Sequence, residues 1–197
     1  MILTRCACCA APLPHPAKQC GRCKTRYCGL ACQTTHWEGG HDTLCKKIKR
    51  GGGAEQYHAD KKYAEAVAVA DKACAADTKG QTCYICTEVV HRRTKEGLVR
   101  GCACHTTEGF VHVSCLAEQA KLLFAEAEEN NLDGLALHEK ALRWTLCGLC
   151  KQKYHGVVRH ALGWACWKTY LGRPETDVIR SVAMGWLGNG LSETGHH

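Results

Sequence analysis

Sixteen cysteine and histidine residues fall into two sets of eight, and within each set they come as closely spaced pairs. The first set is Cys6 and Cys9, Cys20 and Cys23, Cys28 and Cys32, His41 and Cys45. The second is Cys83 and Cys86, Cys102 and Cys104, His112 and Cys115, Cys147 and Cys150. A tight turn brings two such ligands to bonding distance of one ion, and a second pair closes the tetrahedron that structural zinc prefers. Two binuclear modules and four zinc ions are therefore expected.

Seventeen cysteines in 197 residues would also suit the disulfide framework of a small secreted protein. The opening Met1-Ile2-Leu3-Thr4-Arg5-Cys6 shows no apolar stretch ahead of a small-residue cleavage site. No apolar run reaches the roughly 18 residues that a membrane span needs. The expectation is a cytoplasmic or nuclear protein whose thiols stay reduced and serve as ligands. The formal charge of +7 invites a nucleic-acid reading. Ionising fourteen cysteine ligands and adding four divalent ions brings it to about +1, so nucleic acid is not the expected partner. The local run Lys46-Lys47-Ile48-Lys49-Arg50 reads either as a solvated face or as a nuclear-localisation or phosphate-contact patch.

Residues 1–50 hold few large apolar side chains, and a segment this short cannot bury enough surface to fold by itself. Metal binding must supply the folding free energy, about 10–16 kcal/mol for a structural zinc in a small peptide. Gly51-Gly52-Gly53 reads as a hinge into a helical linker over 51–80. Ala59, Tyr63, Ala66, Val67, Ala70 and Cys74 form its apolar stripe, and Lys79-Gly80 ends it. The second module occupies 81–155. Between Cys115 and Cys147, Leu116, Ala120, Leu123 and Ala127 recur at helical spacing; Asn130-Asn131-Leu132-Asp133-Gly134 breaks the pattern, and Leu135 to Trp144 resumes it. Such a helical hairpin would return the chain to Cys147. Helices follow over 156–197, the first apolar on two faces through Leu162, Cys166, Trp164 and Trp167. The fold class is thus one of small zinc-stabilised modules joined by an α-helical linker and closed by C-terminal helices.

The first set, with Tyr27 before Cys28, Gln33 after Cys32 and Trp37 before His41, resembles the MYND-type zinc finger. The resemblance implies interleaved pairs: Cys6, Cys9, Cys28 and Cys32 on one zinc, Cys20, Cys23, His41 and Cys45 on the other. Cys8 stands beside Cys9 as an alternative ligand. Recognition of proline-containing peptides is also implied, with Gln33 and Trp37 in the groove, unless Trp37 only covers a zinc turn. Gly39-Gly40 lengthens the approach to His41 by one residue. Some MYND fingers sit inside SET-type methyltransferases, but this chain has neither the room nor a matching cofactor motif for one.

In the second set a single residue separates Cys102 from Cys104 and seven precede His112. That spacing, with Gly109-Phe110-Val111-His112-Val113-Ser114-Cys115-Leu116 and Cys147-Gly148-Leu149-Cys150-Lys151, is similar to the RING-CH finger and unlike a PHD finger. The resemblance implies a second cross-braced pair of sites, with Cys83, Cys86, His112 and Cys115 on one zinc and Cys102, Cys104, Cys147 and Cys150 on the other. His105 could replace Cys104. RING-CH proteins are mostly ubiquitin ligases that position a charged conjugating enzyme and use no covalent active-site residue. Ile85 and Trp144 are the expected docking residues, Trp144 having a buried core role as its alternative. Gln119 stands where the family commonly has tryptophan, and Gly148 where many RING fingers have proline.

Ala183-Met184-Gly185-Trp186-Leu187-Gly188 resembles half of a tetratricopeptide repeat, so 156–197 could begin a repeat array. Cys74 and Cys166 lie on apolar helix faces, and no remaining cysteine has a histidine arrangement suited to nucleophilic catalysis. Two functions follow from these readings: a ubiquitin ligase acting on protein substrates selected by the MYND finger, or a non-catalytic adaptor.

Overall fold

The computed structural model describes residues 3–104 and 109–195. The chain divides into two compact units, Met1–Lys61 and Lys62–His197.

In the first unit the antiparallel strands β1 (Lys18–Gln19) and β2 (Arg26–Tyr27) pair with Lys18 opposite Tyr27. Two helices follow, α1 (Leu30–His36) and α2 (Asp42–Arg50), joined by a wide turn over Trp37–His41. The turn carries the extra residue noted at Gly39-Gly40. Gly40 sits at φ 107° and ψ 5°, outside helical space and open to glycine, so the insertion becomes a π-like bulge and His41 still points inward. The core of this unit is small, with Tyr27, Ile48 and Ala54 packed among the sulfurs of Cys6, Cys20, Cys23 and Cys45.

Gly51-Gly52-Gly53 is not a loose hinge. The N–H of Gly53 donates to Ile48 O at 3.0 Å and that of Ala54 to Cys23 O at 2.8 Å, while Gly52 and Gly53 take φ of 87° and 97°. Helix α3 (Ala54–Cys74) starts there. The division between units falls within it, and from Lys62 onward it belongs to the second unit, where Ala66, Val67, Ala70 and Cys74 are buried. The expected linker is therefore part of two cores.

The second unit adds α4 (Val113–Glu129), α5 (Gly134–Ala141) with a single tight turn at Leu142–Trp144, α6 (Gly156–Tyr170) and α7 (Val178–Glu193). Asn131 at φ 54° and Gly134 at φ 48° make the break between α4 and α5. Helix α6 is buried almost throughout from Ala161 to Trp167. It approaches α7 closely because both lines of contact contain glycine. A Cβ at Gly163 would lie 3.0 Å from Leu187 Cα, and one at Gly190 would lie 2.9 Å from His160 Cα. The helices after residue 155 do not stand apart from the second module: the N–H of His155 donates to Gly101 O at 2.9 Å, and Gly101 packs on Val158. Among the described residues, no helix is long and apolar enough to cross a membrane.

Candidate metal centres

Four groups of ligand atoms assemble, each within 4.8 Å of one another: Cys6, Cys9, Cys28 and Cys32; Cys20, Cys23, His41 and Cys45; Cys83, Cys86, His112 and Cys115; Cys102, Cys104, Cys147 and Cys150. In each unit the first and third pairs of the sequence meet, as do the second and fourth, so both modules are cross-braced. His105 lies outside the described residues. Cys8 is exposed and stands outside the groups.

Four of the five pairs that enclose two residues, those made of two cysteines, share one backbone turn. The N–H groups of Ala10, Lys24, Thr87 and Lys151 donate back to Cys6, Cys20, Cys83 and Cys147 O at 2.8–3.0 Å. Each donor takes the left-handed conformation, at φ 59°, 66°, 63° and 61°. The N–H of each leading cysteine donates forward, to Ala11, Thr25, Glu88 or Gln152 O. The turn aims its own amides at the first sulfur. Burial raises the Cys6 thiol, but the N–H groups of Cys9, Cys28 and Cys8 outweigh that and bring it to about 6. Cys147 is likewise raised by burial yet held at about 7 by the N–H groups of Cys150 and Leu149. Cys20 and Cys83 are lowered in the same way.

Their cluster partners move in the opposite direction. Burial and then Cys23 and Cys20 push Cys45 up to about 12. Burial also raises Cys102, as do its sulfur neighbours Cys104 and Cys147, and Cys115 rises by burial and by the charge on Cys83. Crowded thiols cannot all ionise beside one another unless a cation neutralises them. A divalent ion resolves that conflict, and the spacing suits zinc. Sulfurs at about 2.3 Å from a tetrahedral zinc lie about 3.8 Å apart. The Cys9–Cys28, Cys20–Cys45 and Cys104–Cys147 separations are 3.7, 3.8 and 3.7 Å. A disulfide would need about 2.0 Å, and all seventeen cysteines are unbridged.

The two histidines present different nitrogens. His41 turns Nε2 to Cys23 Sγ at 3.3 Å, and its Nδ1 is buried without a partner among the described residues. His112 turns Nδ1 to Cys86 Sγ at 3.3 Å, and its Nε2 donates to Val89 O at 3.4 Å, an outer-shell bond that fixes the tautomer. Burial lowers both imidazoles below the usual histidine range, which keeps them neutral and able to ligate.

The MYND finger family model matches residues 6–45. Residues 6–45 form a MYND finger. A 33-residue segment is 52% identical to ubiquitin carboxyl-terminal hydrolase 19 of Arabidopsis thaliana, covering 16% of this chain and 5% of that protein. No solved structure matches the chain. The protein is a zinc-binding MYND-finger protein with further Cys/His clusters beyond the finger. Within the MYND finger, Gln33 on α1 and Trp37 just past its end lie one turn apart, the Trp37 N–H donating to Gln33 O. Trp37 is 41% exposed while its ring stands 5.9 Å from that of His41, so it both flanks a ligand and offers a surface.

Of the expected docking residues, Ile85 is on the surface and Trp144 is not. Trp144 is 2% exposed and donates its indole N–H to Tyr170 Oη at 3.3 Å, because α6 covers it. Arg143 and Gln119 pair instead, with the guanidinium against Gly148.

Three features carried no sequence signal. Arg26 is buried and donates to Leu3, Pro14 and His15 O at 2.5–2.8 Å, clasping the segment ahead of β1. Glu96 is buried and accepts the N–H of Ser114. A fifth turn repeats the backbone pattern without cysteine: the N–H of Lys95, at φ 61°, donates to His91 O at 2.9 Å, and that of His91 donates to Glu96 O at 3.0 Å.

Proposed function

We propose that this is a protein-interaction protein of the cytoplasm or nucleus, holding four zinc ions, in which the MYND finger captures proline-containing peptides and the second, RING-CH-like module docks a ubiquitin-conjugating enzyme. The observation that carries the docking reading is a matched pair of exposed apolar side chains. Ile85 and Leu149 each follow the leading cysteine of a turn by two residues, one in each cluster of the second unit, and are 36% and 45% exposed. Ligands beneath them are largely buried, so such side chains would be held on a stiff metal-stapled base. A rigid apolar contact of this kind is what positioning catalysis requires, since the ligase supplies geometry and no reacting group. The Arabidopsis protein that shares a 33-residue segment with this chain is named a ubiquitin carboxyl-terminal hydrolase, and that name lends support to a reading connected with ubiquitin.

A second reading, the non-catalytic adaptor, is favoured by the burial of Trp144 and by the Arg143–Gln119 pair, which leave the docking face without an aromatic anchor. Autoubiquitination by the zinc-loaded chain across a panel of conjugating enzymes separates the two. Ligase activity that disappears in Ile85→Ala, with zinc content unchanged, supports the first; inactivity across the panel leaves the adaptor. Peptide capture is read independently: Trp37→Ala is expected to lose affinity for proline-containing peptides while the finger keeps its zinc.

A further inference from the structure

The fifth turn ligates nothing, yet it is built like those that do, and it carries His91-Arg92-Arg93-Thr94-Lys95 on the surface of the second unit. Arg92 is tied to Glu88, four residues before it. Arg93 has no ion pair or hydrogen bond among the described residues. It borders a groove of about 380 Å³ whose other walls come from α3, α4 and α6, and Lys121 and Lys168 line the same space. We infer that this groove, formed by Arg93, Lys121, Lys168 and Tyr63, is a binding site for a phosphate monoester.

Three cations from three separate elements line it, with the carboxylate of Glu118 on its wall and that of Glu96 behind Ser114. Glu118 contacts Lys121 at 3.5 Å with both side chains about half exposed, a weak pairing that a dianion can displace. Lys168 is held in position by the face of Tyr63, 4.5 Å from the ring centre. The groove's hydroxyls are already committed: Ser114 bonds Glu96, Thr169 donates to Ala165 O at 2.8 Å, and Thr94 pairs with His91 Nδ1 at 2.8 Å. Binding therefore falls to the cations, whose charge-assisted bonds to phosphate oxygens are the stronger kind. The start of α4 is not the attracting feature, because Glu96 already occupies the Ser114 N–H. The volume exceeds what one phosphate fills and leaves room for the group that bears it. This site is independent of ligase activity.

The test titrates the zinc-loaded full chain with a phosphoserine pentapeptide, its unphosphorylated twin, adenosine monophosphate and sodium phosphate, followed by calorimetry and by amide chemical shifts. Binding of the phosphopeptide, none of the twin, and a loss of tenfold or more in Arg93→Glu and in Lys168→Glu are expected, with Lys79→Glu as a surface control that binds normally. Tighter binding of the nucleotide than of the phosphopeptide keeps the phosphate chemistry and names a nucleotide as its source. Equal binding of inorganic phosphate and the esters, or affinity unchanged in both charge reversals with zinc content intact, overturns the proposal.

Discussion

The carboxylate of Glu96 holds the backbone N–H of Ser114 at 2.7 Å and its hydroxyl as well, at the first turn of the helix that presents Cys115. A buried acid thus caps α4 just after its ligand His112, joining helix stability to ligand placement. Glu96→Ala should destabilise the second unit by about 1–2 kcal/mol. It should also weaken zinc at the His112 site, because the helix start that presents His112 and Cys115 loses its anchor. Glu96→Gln, which keeps an acceptor, should recover most of both. Urea denaturation and competition with a chromogenic chelator measure the two effects; an unchanged chelator profile in Glu96→Ala would separate the cap from the metal.

Removal of zinc should affect the two units differently. Much of the first unit's small core consists of ligand sulfurs, so without the ion little apolar surface remains to hold it. The second unit also buries Phe124, Leu162, Trp167 and Tyr170. A strong chelator should leave residues of the first unit open to protease while α4, α6 and α7 stay protected. Limited proteolysis read by mass spectrometry gives the answer, and equal digestion of both units would contradict it.

Two glycines of α7 should respond with opposite sign. A Cβ at Gly190 meets backbone, 2.9 Å from His160 Cα and 3.2 Å from Arg159 O, which cannot move aside cheaply. Gly190→Ala should cost about 1–3 kcal/mol. Gly188 faces open space within the same helix, and Gly188→Ala should gain about 0.5–1 kcal/mol from reduced chain entropy. Thermal melts of the two variants would show the split, and a Gly190→Ala protein as stable as the parent would mean that the helices are not in close contact there.

The metal-free second unit should show a stability that depends on pH. Cys147 ionises at about 7 in the folded chain but near 9.0 when unfolded. Between those values the unfolded chain binds more protons, so stability rises with pH from about 7 to 9. Cys102 is shifted the other way, so above its ordinary range the folded chain keeps its proton longer and stability falls again. A urea midpoint that peaks near pH 9 after chelation is expected, with no such rise in the zinc-loaded protein, where the thiols are already ionised. A midpoint that falls steadily from pH 7 would refute the lowered ionisation of Cys147.

What the sequence revealed was what is local. Each two-residue cysteine pair marks a turn that closes within six residues, and the Asn130 to Gly134 break marks a hairpin by residues able to leave the helical region. Pairings between distant turns came from a family resemblance and not from spacing alone. The fate of Trp144 was not legible because it depends on Tyr170, twenty-six residues later. Gly52 and Gly53 read as a hinge because their composition does not record the bonds to Lys49 and Ile48 that clamp them. Arg26 and Glu96 carry no signal of their own, because their acceptors and donors are mainly backbone groups, which leave no trace in side-chain chemistry. The His91 to Glu96 turn could have been found only by noticing a histidine and a threonine at the offset where the other four turns carry cysteines.

That last turn bears on how the chain acquires its ions. A bend of the same shape forms where no sulfur is present to be bridged, with a His91–Thr94 side-chain bond across it in place of an ion, so the backbone adopts it without metal. Zinc arriving at a nascent chain would then meet two-toothed claws already half closed, and what it adds is the long-range clasp between claws far apart in sequence. Loading would begin within single turns, and the slow step would be the search that brings the second claw to the first.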